Sequence, residues 1–395
     1  SSEMRSRVIR LARSLPSTVR DYSSCQASFP TFKKEDVGKL YEISKEHFQQ
    51  LNLSKNLPST MRKQCETLSE CVSLVREPLV EVISWLDSSS VNHPSIRLCL
   101  WGPFGTGKTI TLNQTTNCAI EKGWVIVHHR SGSSISIHSQ ENSLQYSAMD
   151  LTRQVQEVEM STFVSGRIND PVNAAIILNE FKTSNSHLWA KLGELKTHRS
   201  YEWTKKEKTD EGKSLTEIVE MGLSAPFLSS DCVGGLFREL RLHASEGNIK
   251  LLVAIDDANS LWGKTLVKRA DRTYANASDL TLVQHYRRLL NDDWSNGTVV
   301  LVADKKEICD ARDKITVPRN TPMECFGVDG LMGIEPFVPI ETGLYSDDEI
   351  KSLHEYYVQK NWLSSNKSQS ETGLLEMKHL SAFNPYYFER ICAFV

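Results

Sequence analysis

A phosphate-binding pattern is the segment of this sequence most capable of chemistry. Residues 102–109 read Gly-Pro-Phe-Gly-Thr-Gly-Lys-Thr and match G-x-x-x-x-G-K-[ST] at every fixed position. The glycines let the backbone turn its N–H groups inward, and a following helix would direct the positive end of its dipole there. Lys108 should reach the β- and γ-phosphates of a nucleoside triphosphate, and the Thr109 hydroxyl should bind Mg²⁺. The predicted nucleotide-binding residues are Gly102, Pro103, Phe104, Gly105, Thr106, Gly107, Lys108, Thr109 and Ile110.

An acidic pair ends an apolar run farther along the chain. Residues 251–255 read Leu-Leu-Val-Ala-Ile, and Asp256 and Asp257 follow them. An acid at the carboxyl end of a buried strand can hold Mg²⁺ through water, so we predict Thr109 and Asp256 as magnesium ligands. The alternative is an aspartate that only caps the start of a helix.

Asp257 is the candidate for a catalytic base, although the sequence supports it weakly. It stands where many ATP-driven machines carry a glutamate that polarises water, and its side chain is one methylene shorter. General-base geometry tolerates little displacement, so the sequence favours nucleotide binding over turnover.

The residues reveal little about which base is recognised. The N-K-x-D box that reads guanine in many small GTPases is absent, so GTP or GDP does not follow from the residues and ATP stays open. Asn384 and Pro385 open a helix near the C-terminus, where a turn of a helical lid could contact the base. An ordinary helix start with proline at its first position is the alternative.

The elements that must position these residues are those of an α/β protein. Apolar runs typical of buried strands occur at 98–101, 124–129, 251–255 and 299–303. Helical spacing occurs at 108–121, 171–193, 231–245 and 279–291. Continuous apolar runs that alternate with helices indicate a parallel sheet covered on both faces, which is a three-layer α/β fold.

The order of the segments predicts three regions. Residues 1–90 form a basic arm and a helical extension, because residues 75–86 repeat apolar side chains at helical spacing. Residues 91–330 form the P-loop nucleotide-binding α/β domain, with an insertion at about 130–230 where the periodicity weakens. Residues 331–395 form a C-terminal helical lid, in which a capping box at 346–349 precedes a helix that runs through Trp362.

Composition and charge limit the classes of function. The formal net charge of -3 gives no global attraction to nucleic acid, so any RNA contact must come from local basic stretches. No apolar run approaches the ~20 residues that cross a bilayer, so we expect no membrane span. The nine cysteines form no framework, which argues for a reducing compartment, and we assign them neither a metal nor a disulfide.

The first twenty residues are rich in arginine and serine, and their one acid is Glu3. This bias is typical of a mitochondrial transit peptide, and a chain that begins with serine is what processing would leave. An arm that lies along RNA phosphates and a solvated helix without a partner are equally compatible with it.

Tryptophan-bearing segments spaced along the chain resemble a known family. The matching stretches include Tyr-Glu-Trp-Thr-Lys at 201–205, Ala-Asn-Ser-Leu-Trp-Gly at 258–263 and Asn-Asp-Asp-Trp at 291–294, besides 100–109, 181–185, 251–256, 361–363 and 382–385. Together they resemble the death-associated proteins that are GTP-binding components of the mitochondrial small ribosomal subunit. The resemblance runs from about 97 to 395 and is weaker before it.

The resemblance implies a protein of the mitochondrial matrix, built into the head of the small subunit and facing the large subunit. Its implied partners are the small-subunit ribosomal RNA and neighbouring ribosomal proteins. It also implies an AAA-like domain, a structural guanine nucleotide with Mg²⁺, and a link to apoptosis that no residue explains. The residues 1–20 would then be a remnant of import or an arm on ribosomal RNA.

The family's functional residues carry over unevenly. The phosphate-loop roles carry onto Gly102, Gly105, Gly107, Lys108 and Thr109, and the acidic strand end carries onto Asp256. Asp257 departs from a pattern in which a small residue can stand, which weakens any expectation of hydrolysis. A structural ribosomal protein is thus the first hypothesis. An active AAA-type ATPase or GTPase switch outside the ribosome is the second, and an apoptosis adaptor is the third.

Overall fold

The structure is a computed structural model that describes residues 31–50, 57, 59–129, 159–161, 165–269, 271–304 and 320–395. The arginine-rich segment 1–20 and most of the first part of the predicted insertion lie outside these residues. Within the described part of the chain, no helix is long and apolar enough to cross a membrane.

A five-stranded parallel sheet forms the centre of the fold. Its strands are β3 (Ile96–Trp101), β4 (Val125–His129), β9 (Leu251–Ile255), β10 (Gly297–Val302) and β11 (Val338–Glu341). Their order in the sheet is β11-β3-β10-β9-β4, so the strand before the phosphate loop lies inside the sheet, and β10 separates it from β9, which Asp256 follows. The parallel sheet predicted from the four apolar runs is confirmed.

Each central strand buries both of its faces, which explains its continuous apolar sequence. Leu251, Val253 and Ile255 pack into one apolar cluster, and Leu252 and Ala254 pack into another on the opposite face. Side chains alternate across a strand, so a strand covered on both sides needs apolar residues at every position. The three-layer arrangement follows from this burial.

Helices cover both faces of the sheet. One face carries α3 (Glu77–Ser88) and α4 (Lys108–Glu121). The other carries α5 (Pro171–Ser184), α7 (Leu215–Ser224), α8 (Ser229–Ser245) and α9 (Thr281–Leu289). The remaining helices are α1 (Lys45–Gln50), α2 (Ser59–Leu68), α6 (Trp189–Glu194), α10 (Pro322–Ile334), α11 (Asp347–Gln359), α12 (Glu371–Ser381) and α13 (Pro385–Cys392).

The helix predicted at 171–193 is interrupted, and the interruption serves the sheet. α5 ends at Ser184, and the amide of Asn185 accepts a hydrogen bond from the Ile126 N–H at 2.8 Å and donates to the Ile126 carbonyl at 2.8 Å. β4 is an edge strand, so these bonds satisfy backbone groups that no neighbouring strand reaches.

The strand β11 was not predicted, and two prolines explain why. Pro336 precedes the strand and Pro339 lies within it. Proline cannot donate to a strand ladder and is tolerated in edge strands, which is the position that β11 occupies beside β3.

Three antiparallel pairs of short strands lie outside the central sheet in the described residues. They are β1 (Leu40–Ile43) with β2 (Cys71–Leu74), β5 (Glu159–Met160) with β6 (Ile168–Asn169), and β7 (Tyr201–Glu202) with β8 (Lys208–Thr209).

The prediction of a helical region before residue 90 is wrong in part, because the pair of β1 with β2 lies there. Leu40 and Leu74 are register partners and pack among the C-terminal helices, so tertiary burial overrides the local helical preference there.

The C-terminal helices follow the sequence signals closely. Ser346 accepts a hydrogen bond from the Glu349 N–H at 3.2 Å, and Glu349 accepts one from the Ser346 N–H at 2.8 Å. This is the predicted capping box. The helix that it starts ends at Gln359, earlier than the predicted Trp362. The helices α11, α12 and α13 share an apolar cluster of their own.

Candidate nucleotide-binding site

The phosphate loop depends on backbone angles that only glycine adopts without strain. Gly102, Gly105 and Gly107 have φ of 144°, 79° and 94°. A Cβ atom on Gly102 would lie 2.4 Å from the Thr342 carbonyl oxygen, so the loop is also too tightly packed for a side chain there. β3 leads into the loop and α4 starts directly after it, as predicted.

The first turn of α4 faces the loop with its N–H groups free of a side-chain cap. Gly107 is the N-cap residue, and no side chain among the described residues caps this helix end. Uncapped N–H groups at a helix N-terminus favour an anion. Ile110 lies in this turn and packs its side chain against the apolar cluster below α4, which anchors the turn.

The start of α13 rests against the loop. The Tyr386 N–H donates to the Gly105 carbonyl at 3.0 Å, and the Asn384 Nδ2 donates to the Phe104 carbonyl at 2.8 Å. The rings of Phe104 and Tyr386 meet edge to face with centroids 5.1 Å apart. Residues that are 280 positions apart in sequence therefore hold one loop.

Asn384 and Pro385 begin a helix as the sequence indicated. Pro385 is the first residue of α13, and the Asn384 Oδ1 accepts from the Tyr386 N–H at 3.0 Å. Both ends of the Asn384 amide therefore already have protein partners. A contact between Asn384 or Pro385 and a base stays a prediction.

Arg76 links the loop to two other parts of the chain. Its Nη1 donates to the Thr106 carbonyl at 2.8 Å, and its Nη2 donates to the carbonyls of Gly343 at 3.0 Å and Leu344 at 2.9 Å. Its Nε pairs with the Glu349 carboxylate at 3.0 Å. A buried guanidinium whose donors are satisfied in this way fixes the relative positions of α3, the loop and α11.

Thr342 completes this packing from the end of β11. Its hydroxyl lies 2.7 Å from the Thr106 hydroxyl, and its N–H donates to the Trp101 carbonyl at 2.8 Å. Thr106 and Thr342 are fully buried. The loop is thus held by side chains on both of its flanks.

Lys108 is buried and folds back onto the loop. Its Nζ donates to the carbonyls of Gly102 at 3.0 Å and Pro103 at 2.9 Å, and it lies 4.0 Å from the Asp304 carboxylate. Burial lowers the pKa of Lys108, and the carboxylates of Asp304 and Asp256 act against that shift. Reaching a phosphate requires the ammonium to exchange its two carbonyl partners for phosphate oxygens.

Asp256 and Thr109, the predicted magnesium ligands, are brought together. Burial and then the charge of Asp257 raise the pKa of Asp256 to about 8, and the nearby Thr109 hydroxyl lowers it. The Asp256 Oδ1 accepts from the Asp257 N–H at 2.9 Å, whereas its buried Oδ2 has no hydrogen-bond partner among the described residues. A buried carboxylate oxygen of this kind fits a divalent cation, whose charge would favour the ionised form.

Asp257 lies beside these groups in a left-handed conformation with φ of 51° and ψ of 36°. Aspartate tolerates this region better than most residues. Its side chain is buried, with 1% of the residue exposed. Its role as a catalytic base remains a prediction.

Sequence reasoning missed the residues that support the site from a distance. Asp304 follows β10 and could have been found by the logic that selected Asp256, because it too is an acid at a strand's carboxyl end. Arg76 and Thr342 carry no motif, and Glu349 was predicted only as part of a capping box, so only the tertiary structure brings the three to the loop.

Comparisons with known proteins identify the family of this chain. The profile of the family described as mitochondrial ribosomal death-associated protein 3 matches residues 73–391. The cattle (Bos taurus) small ribosomal subunit protein mS29 is 30% identical over 364 residues, which cover 92% of this chain and 85% of the relative. The mouse (Mus musculus) protein of the same name is 32% identical over 338 residues, covering 85% of this chain and 80% of the relative. The chain belongs to the mitochondrial ribosomal death-associated protein 3 family.

Proposed function

We propose that this chain is a structural component of the mitochondrial small ribosomal subunit that holds a guanine nucleotide, GTP or GDP, with Mg²⁺ in the loop 102–110. Membership of the family supports the assignment to the ribosome and the location in the mitochondrion. One observation supports the nucleotide's structural role above the others. The loop backbone is held by Arg76, at the start of α3, and by Asn384, at the start of α13, so a ligand in the loop would stabilise a point where three distant parts of the chain meet.

The residues present fit such a ligand. The N–H groups of the glycine turn and of the first turn of α4 would hold phosphate oxygens, and Lys108 would neutralise their charge. Thr109 and Asp256 would hold Mg²⁺, directly or through water. The bound ion would supply charge neutralisation between the phosphates and the buried Asp256.

An AAA-like domain with a C-terminal lid is part of this proposal. The contacts of α13 with Phe104 and Gly105 support the lid, since they keep a helical bundle at the edge where the nucleotide would sit. Asp256 follows β9, which one strand separates from β3, and the cation would lie between this acid and the loop. The choice of guanine over adenine in this proposal rests on the family resemblance alone.

Binding to the ribosome would use neighbouring ribosomal proteins and ribosomal RNA, with the large subunit as a further contact. The net charge of -3 favours local basic patches over a global field. The death-associated part of the family name suggests a link to apoptosis, for which the described residues offer no mechanism.

An active ATPase or GTPase switch outside the ribosome is the second candidate, favoured by the burial of Asp257 next to the predicted magnesium ligand Asp256. Purified protein should release phosphate far more slowly than the ~1 per second of ordinary enzymes if the nucleotide is structural. Steady release at such rates that stops in Asp257→Asn would establish the switch.

The direct test uses the endogenous protein. It should sediment with mitochondrial small subunits, and nucleotide extracted from the purified protein should be guanine nucleotide near one per chain. If the protein sediments free of ribosomal subunits, the proposal that it is a ribosomal component is overturned. If the extracted nucleotide is an adenine nucleotide, or if there is none, the proposal that it holds a guanine nucleotide is overturned.

A further inference from the structure

A cluster of two imidazoles and a carboxylate lies apart from the phosphate loop. His198 belongs to the segment between α6 and β7, His243 belongs to the last turn of α8, and Glu246 is the C-cap residue of that helix. The ligand atoms that these three side chains offer all lie within 4.8 Å of one another. Among the described residues, no other group of three or more histidines, cysteines and acids converges in this way.

The orientation of His198 is fixed by a buried acid. Its Nδ1 lies 2.6 Å from the Glu239 Oε2, and a carboxylate can only accept, so Nδ1 carries the proton. Glu239 is fully buried and is itself held by the Tyr201 hydroxyl at 2.6 Å and by the His198 N–H at 3.0 Å. The Nε2 of His198 lies 3.0 Å from the Glu246 carboxylate, so in the metal-free protein it also carries a proton, which a bound metal ion would displace.

His243 is oriented by the same logic. Its Nε2 lies 3.0 Å from the Lys196 carbonyl, which can only accept, so Nε2 carries the proton and Nδ1 keeps its lone pair. That lone pair accepts a hydrogen bond from the Asn248 Nδ2 at 3.1 Å and lies 3.9 Å from the Glu246 carboxylate, so a bound metal ion would displace the Asn248 amide. A histidine whose second nitrogen donates to a carboxylate or a backbone carbonyl is the usual arrangement around a metal.

The distances suit one small cation. Ligand atoms in a tetrahedral zinc site lie about 3.3–3.6 Å apart, since each bond is about 2.0–2.2 Å, so side chains whose ligand atoms lie within 4.8 Å of one another need only small rotations to meet one ion. The carboxylate of Glu246 is 3.0 Å from the His198 Nε2 and 3.9 Å from the His243 Nδ1. Its side chain is 51% exposed, so it can rotate to complete the set and gives an ion access from solvent.

We propose that His198 Nε2, His243 Nδ1 and the Glu246 carboxylate bind one zinc ion, with water at the fourth position. Two imidazoles exclude Mg²⁺ and Ca²⁺, which take oxygen ligands, and the set of two histidines and one carboxylate is one that zinc uses. The ion would tie the segment before β7 to the C-terminal end of α8. The site uses no residue of the phosphate loop and is independent of the proposed nucleotide.

The test is zinc titration of the metal-free full-length chain against a competing chelator, with Co²⁺ as a spectroscopic probe. We expect one zinc ion per chain. Glu246→Ala, a change at an exposed residue, should weaken the affinity at least tenfold, and His243→Gln should abolish stoichiometric binding. His379→Gln, which changes an exposed helical histidine elsewhere, should leave the affinity unchanged.

Glu239→Gln separates a metal site from a hydrogen-bond network. Loss of the carboxylate that holds the His198 Nδ1 should weaken zinc affinity about 10–100-fold, while circular dichroism should show that the metal-free protein stays folded. If the wild-type chain binds no more zinc than His243→Gln, or if Co²⁺ gives the same spectrum with Glu246→Ala, the proposal is overturned and the cluster is a hydrogen-bond network alone.

Discussion

The phosphate loop would bind its ligand through backbone groups, whereas the histidine cluster would bind its ion through side chains. The loop would present backbone N–H groups, so its residues must be contiguous and glycine-rich, with φ values of 79° at Gly105 and 94° at Gly107. The cluster would present side chains, so its residues can be scattered and need no special backbone. The first is therefore visible as a sequence motif, whereas the second becomes visible only when α8 meets the segment before β7.

The two sites also differ in what supports them. The loop is held from a distance by Arg76, Thr342 and Asn384. The cluster is held by residues of its own neighbourhood, Glu239 and Lys196. Damage to the C-terminal helices should therefore weaken nucleotide binding and leave zinc binding intact.

Arg76→Ala should have the largest effect. It removes a guanidinium that bonds three carbonyls and leaves the buried Glu349 carboxylate without its ion-pair partner. Breaking a buried pair from one side costs about 3–5 kcal/mol, which equilibrium unfolding in urea would measure. Arg390→Ala, at an exposed arginine of α13, is the control and should change stability by less than about 0.5 kcal/mol. If Arg76→Ala lowers the free energy of unfolding no more than Arg390→Ala does, the loop needs no distant support.

Gly105→Ala should come second. An added Cβ would face the Asn384 Oδ1 at 2.6 Å and the Tyr386 Cβ at 2.7 Å, in a backbone conformation that already disfavours alanine. We expect a loss of stability of about 1–3 kcal/mol, together with loss of nucleotide binding. The matched control is Gly212→Ala, because Gly212 has a φ of 78° against 79° and nothing within 4 Å of an added Cβ. If the two variants lose the same stability, the contact with α13 contributes nothing.

Asn384→Ala should lower the free energy of unfolding by about 1 kcal/mol, because the Asn384 side chain caps the start of α13. It should also lower nucleotide affinity, because the Asn384 amide holds the Phe104 carbonyl in the loop. Ser370→Ala removes the cap of the neighbouring α12 and touches no loop residue in the described chain, so it should cost similar stability without lowering affinity. Isothermal titration with Mg-GTP checks this, and an equal change of affinity in both variants would contradict it.

Glu389→Gln should have the smallest effect at low pH, where the protonated carboxyl is neutral like the amide, and its effect should appear as the pH rises. Burial raises the pKa of Glu389 to about 7, although the hydroxyls of Tyr357 and Tyr345 lower it. A carboxyl whose folded pKa is raised contributes its full stability at low pH and loses it as pH rises from the unfolded value of about 4.3 through 7. The melting temperature of the wild type should therefore fall from pH 5 to pH 8 by more than that of Glu389→Gln. Parallel pH profiles would refute this, and zinc affinity should be the same in both chains.

Much of the fold could be predicted because the decisive signals are local. The run Leu251–Ile255 and the helix Lys108–Glu121 have the predicted bounds, since burial on both faces and a glycine turn leave marks in a few residues. β11 and the pair of β1 with β2 could not be found, because each is stabilised by partners far away in sequence. The same holds for Arg76, whose three carbonyl acceptors include residues 343 and 344.

The most direct test of the account is the stability of the purified chain with and without Mg-GTP, compared with Lys108→Ala. At ~100 times the dissociation constant the ligand should stabilise the wild type by about 2.7 kcal/mol and the variant by far less, because the variant lacks the ammonium that neutralises the phosphates. A wild-type unfolding midpoint that Mg-GTP does not move, or one that moves equally in Lys108→Ala, would contradict a nucleotide held by this loop.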